Sequence, residues 1–186
     1  MFKLKTSIMK ISINHFLFTA FLGLALITQS CSNSNASASD DATVTADINR
    51  FLNQWHKSAE TSSHAAYIGS MAKGGVYIGT DASEHWTTQE FSEWSKPYFE
   101  QKRGWNLVSL NRHIYLGNDN KTAWFDELLD TSMGLCRGSG VLQLKDGKWK
   151  IYQYVLSPTV PNELTNEVKL LKGSQDSLII NKLRYE

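Results

Sequence analysis

Cysteine is scarce in this sequence, with only Cys31 and Cys136 among 186 residues. One internal disulfide at most could form, so the chain is not a disulfide-stapled scaffold. Proline is scarce too, with three residues, and internal repeats are missing. No stretch has the roughly 20 apolar residues that a spanning helix needs. Neither sign of charge dominates: 19 Lys and Arg stand against 18 Asp and Glu. No basic patch stands out, which argues against nucleic acid as a partner. A metal-ligand cysteine pair, HExxH, GxSxG and a phosphate-cradling glycine motif are all missing. "RGSG" (137–140) has the glycines but lies in a strand pattern, where they ease sheet curvature. His56, His64, His85 and His113 show no ligand spacing, so neither a metal nor a cofactor is expected.

What is present begins with a basic N-terminus, Lys3, Lys5 and Lys10, followed by the apolar run "FLFTAFLGLALI" (16–27). That run has the length of a signal-peptide core. "TQSC" (28–31) follows. Small residues ending in Cys suggest a bacterial lipoprotein signal, cleaved before Cys31 with lipid placed on that residue. Thr28 stands where Leu is usual, so the motif is loose, and an ordinary secretory signal cut nearby is the alternative. Cleavage would remove three lysines and turn the formal charge from +1 to −2. Residues 1–30 are read as the signal and 31–43, small and polar, as a flexible tether. With Cys31 lipidated, Cys136 has no internal partner and reads as a packed, inert thiol.

Val44, Ile48, Phe51, Leu52 and Trp55 recur at helical spacing and predict a helix over 44–59. A short helix is expected at 63–70 and a strand at 74–79. "TTQEF" (87–91) has capping-box form and opens a helix that Pro97 should kink or restart. Four strands follow, near 105–116, 121–130, 136–145 and 148–158, with turns at "GNDN" and "KDG". Helices before a mostly antiparallel sheet make an α+β order. Residues 164–186 carry some helical pattern without a clear core role.

"VYIGTDASEHW" (76–86), "KPYF" (96–99), "AWFDELL" (123–129) and "RGSGVLQLKDGKWKIYQYVLSPTVPNE" (137–163) resemble the SnoaL-like branch of the nuclear-transport-factor-2 (NTF2-like) superfamily. The resemblance implies a cone-shaped fold over 44–163, with a strongly curved sheet wrapped around helices and a pocket between them. Residues 164–186 form a C-terminal extension. The isomerases and cyclases of this superfamily use a pocket Asp as proton acceptor. Other members only bind, so the fold alone does not give function.

"AWFDELL" poses the sharpest chemical question. Neighbours on a strand face opposite ways, so only one of Asp126 and Glu127 can share the inner face with Ala123 and Phe125. Glu127 has that parity. A buried carboxylate needs a partner, and Arg137, across the hairpin, is the expected one. Asp126 is expected outside or at the rim. Asp126, Glu127 and His113 are the candidate proton acceptors. Trp55, Trp94, Tyr98, Trp124 and Tyr154, with Glu127 and Arg137, are the candidate ligand-binding residues, since aromatic walls with a few polar groups suit small molecules.

Three readings stay open. The leading one is a lipid-anchored protein of the bacterial envelope, periplasmic or surface-facing, that binds a small, largely apolar molecule. The second is an enzyme of isomerase, cyclase or hydrolase type. The third is a dimeric interaction module whose exposed sheet face pairs with another copy.

Overall fold

The helical spacing from Val44 onward is realised in α1, Asn33–Glu60, whose stripe of Ile48, Leu52, Trp55 and Ala59 is fully buried. The computed structural model describes the backbone of residues 33–185 and the side chains of residues 40–185. The signal segment and Cys31 lie outside the described residues. The chain divides into two units, Met1–Ala42 and Thr43–Glu186. In the first unit, residues 33–42 are helical rather than an irregular tether. Ala36, Ala38 and Ala42 are strong helix formers, which a reading based on small polar residues undervalues.

In the second unit, α2 (His64–Gly69) precedes β1 (Met71–Ile78) and β2 (His85–Thr87). The capping box is present at the start of α3 (Thr88–Glu100): Thr87 accepts from the Glu90 backbone N–H, and the Glu90 side chain accepts from that of Thr87. The helix is continuous through Pro97; the ring costs one backbone donor and does not end it. The four long strands are β3 (Leu107–Leu116), β4 (Thr122–Thr131), β5 (Gly134–Lys145) and β6 (Lys148–Pro158). A 3₁₀ turn (Asn162–Leu164) leads to α4 (Thr165–Tyr185), which buries none of its residues.

The strands form one curled sheet in the order β2-β1-β6-β5-β4-β3, antiparallel except for the β1–β6 pair. The fold is α+β, with helices on the inner face of the sheet. Ala123, Phe125, Glu127 and Leu129 point inward from β4, and Trp124 points outward. Trp55 joins the layers: it stacks on Tyr67 at 4.9 Å, and its indole N–H donates to the Tyr67 carbonyl at 3.1 Å. Such a pair adds about 0.5–1.5 kcal/mol beyond its buried area.

One irregularity decides what enters the interior. In β3, Ser109 pairs with Leu129 but Asn111 pairs with Leu128, so Leu110 is an extra residue. A bulge of this kind reverses the alternation beyond it. Leu107 faces inward before it; Arg112, Ile114 and Leu116 turn inward after it, while His113 and Tyr115 are exposed.

Candidate functional site

Glu127 is the inward carboxylate, 1% exposed, and its partners come from three elements. Arg112, directly opposite on β3, donates to Oε2 through Nε at 2.9 Å and Nη2 at 2.7 Å. His56, on α1, meets Oε1 through Nε2 at 2.8 Å, and the Tyr154 hydroxyl on β6 donates to the same oxygen at 3.3 Å. An ionised carboxylate only accepts and offers about four lone-pair sites. Each oxygen of Glu127 therefore has two donors, and the group is saturated. Arg112 also donates through Nη1 to the Asn53 side chain at 2.8 Å, which ties β3 to α1.

The charges agree with this geometry. Burial pushes the Glu127 carboxyl up, but the hydrogen bonds and charges of His56 and Arg112 outweigh burial and hold it below its ordinary value. Burial pushes the Tyr154 hydroxyl well up, and the charge on Glu127 pushes it further. Tyr154 therefore stays a donor. Gly138 makes room for it: a Cβ there would lie 2.3 Å from the Tyr154 hydroxyl and 3.1 Å from Glu127 Cγ.

The expected partner, Arg137, is a correction. The hairpin places Arg137 opposite Leu128 and Gly138 opposite Glu127. Paired residues share a face, so Arg137 is exposed on the outer side with Leu128. Trp124 is also outside, stacked on Tyr115 at 5.9 Å. Asp126 lies between the two outer candidates, accepting from the Tyr115 hydroxyl at 3.1 Å and lying 3.2 Å from His113 Nδ1. Trp55 and Tyr154 are core.

A separate cavity of about 290 Å³ opens between α3, the end of β1, the approach to β3 and the β4–β5 turn. Its wall is aromatic: Tyr77, Trp86, Phe91, Trp94 and Trp105. These rings form a ladder. Tyr77 stacks on Phe91 at 3.9 Å, Phe91 on Trp105 at 5.9 Å, and Trp94 on both Trp86 (4.6 Å) and Trp105 (6.0 Å). Trp94 is the expected ligand-binding residue that lines it, and Tyr98 packs against Trp94 at 5.1 Å. Glu127, Asp126 and His113 do not line it.

Sequence reasoning missed Trp86, Trp105 and His56. Trp86 had a readable signal. It precedes the cap Thr87, and Phe91 is the fourth residue of the helix, the spacing of a hydrophobic staple; their rings lie 5.7 Å apart. His56 stands four residues after Leu52, on the buried stripe of α1.

Residues 48–161 match the SnoaL-like domain family. The chain belongs to that family. No curated protein matches this SnoaL-like chain in sequence. Solved structures share its fold. A domain of unknown function with a cystatin-like fold from Nostoc punctiforme is 12% identical, with a TM-score of 0.56 over 77% of this chain and 98% of that one. The association domain of C. elegans CaMKII is 16% identical, with a TM-score of 0.54 over 64% and 98%. An NTF2-like protein of unknown function from Pseudomonas putida is 11% identical, with a TM-score of 0.51 over 63% and 88%. At these identities the likeness is one of fold.

Proposed function

We propose that this SnoaL-like protein binds a small, largely apolar molecule in the aromatic cavity and does so from a lipid anchor in the bacterial envelope. The observation that carries the binding reading is the separation of the two sites. The aromatic wall stands open, whereas the buried carboxylate is fully committed to Arg112, His56 and Tyr154. A proton acceptor needs a free lone pair within reach of its substrate. Glu127 has none, and the His113–Asp126 pair lies on the other face of the sheet, so the enzyme reading loses its candidates. Native mass spectrometry of the protein isolated from its own host tests the binding reading. The expected result is a second species heavier by a small organic molecule, lost on denaturation. Protein found only at its bare mass, with no shift in tryptophan emission on extraction with organic solvent, would overturn it.

The anchor rests on the basic N-terminus, the apolar run and "TQSC" before Cys31. Cys31→Ser is expected to leave the membrane fraction or to retain its signal peptide. A variant with wild-type mass and full membrane partition would exclude lipid on Cys31.

A homodimer is supported by the exposed Tyr115–Trp124 pair on the outer sheet face, where Trp124 is 49% exposed. Sedimentation of the wild type as a dimer and of Trp124→Glu as a monomer is the expected outcome.

A further inference from the structure

Among the described residues, the wall of the aromatic cavity has one charged residue, Glu84, and no lysine, arginine or histidine. We infer that the cavity selects organic cations, namely amines or quaternary ammonium groups carried on an aromatic or branched apolar frame. The inference rests on the binding reading above and narrows it to a chemical class.

The loop between β1 and β2 fixes that carboxylate. The Gly79 N–H donates to the Glu84 carbonyl at 2.9 Å and closes the loop, and the Asp81 N–H donates to Glu84 Oε2 at 3.1 Å. Gly79 leaves the space that the carboxylate fills: a Cβ there would lie 2.1 Å from Oε2. Glu84 makes no ion pair among the described residues. The same wall holds three indoles, Trp86, Trp94 and Trp105. The face of an indole is the strongest aromatic partner for a cation. A cavity whose wall holds a carboxylate without a counter-ion and three indoles attracts positive charge twice over and repels a carboxylate or phosphate ligand. A neutral apolar ligand would use the ladder but leave Glu84 with the Asp81 N–H and no counter-ion.

Three probes on one benzyl frame separate these cases: benzyltrimethylammonium, its carbon isostere neopentylbenzene, and the smaller anion phenylacetate. Titration calorimetry on the full chain is expected to rank the cation roughly tenfold tighter than the isostere, with the anion weakest. Glu84→Gln should bring the cation to within about twofold of the isostere and leave the isostere unchanged. Gly79→Ala, which displaces the carboxylate without removing its charge, should weaken the cation in the same direction. A melting curve for each variant checks that it folds. Equal binding of cation and isostere, or a ratio untouched by both variants, overturns the charge selection while leaving the binding reading intact. Binding by none of the three overturns both.

Discussion

Asp126 and Glu127 are adjacent, chemically alike and held by the same kinds of residue, a histidine and a tyrosine each. Glu127 meets His56 and Tyr154 inside the fold; Asp126 meets His113 and Tyr115 outside it. Two things differ. The inner carboxylate has Arg112 as well, and it has no access to water. The outer pair is about half exposed on both sides. In water the Coulomb gain of an ion pair is about 1 kcal/mol at contact distance and is screened further by salt. Inside, desolvation makes a full set of partners obligatory. The same chemistry is therefore optional on one face of β4 and compulsory on the other.

The comparison is broken most strongly by taking away one inner partner. Arg112→Met leaves Glu127 buried with its charge uncompensated and is expected to cost about 3–5 kcal/mol in urea denaturation. Glu127→Gln should cost a similar amount, and the double variant should recover part of the loss, giving a non-additive cycle. Strict additivity would mean that the two residues are not coupled. Gly138→Ala comes next. Its Cβ meets the Tyr154 hydroxyl, and overpacking of this kind costs about 1–3 kcal/mol. Adding Tyr154→Phe removes the atom in the way and should restore part of the stability.

Acid sharpens the comparison further. Glu127 is held below the ordinary carboxyl value of 4.5. A group with a depressed folded-state pKa contributes stability that is fully present above its unfolded pKa and is lost as pH falls through the folded pKa. The stability gap between wild type and Glu127→Gln should therefore be constant above about pH 5 and narrow below pH 4.5. A gap that widens on acidification would contradict the assignment. The smallest effect belongs outside: Asp126→Asn and Arg137→Met should each cost at most about 1 kcal/mol and move the melting temperature by no more than about 4 °C.

Much of this arrangement was legible in the sequence. The alternation in "AWFDELL" is enough to turn Glu127 inward and Asp126 outward, because β4 has no bulge between Ala123 and Leu129. The capping box at Thr87 and the four long strands follow from local chemistry that tertiary packing did not override. The partners of Glu127 were harder to read, for two reasons. Counting by twos from Leu107 along β3 brings Asn111 and His113 inward and leaves Arg112 out; the extra residue at Leu110 reverses that count, and no proline or glycine marks it. His56 comes from a helix 71 positions away in sequence, and pattern alone does not show which strand residue a helix residue meets. The cavity was partly legible through Trp94. Trp86 lies on β2, which is three residues long and merges into the capping box, and Trp105 lies in the loop before β3.

That single extra residue acts as a frameshift. A strand is read by the interior with a period of two, and an inserted residue changes the frame for everything downstream. From Asn111 to Leu116 one frame spells Arg112, Ile114 and Leu116, a cation and two aliphatics suited to a buried carboxylate. The other spells Asn111, His113 and Tyr115, a surface text. Deleting Leu110 would leave a regular ladder, with Ser109 and Asn111 adjacent and still opposite Leu129 and Leu128, so the downstream frame would stand and Glu127 would keep its arginine.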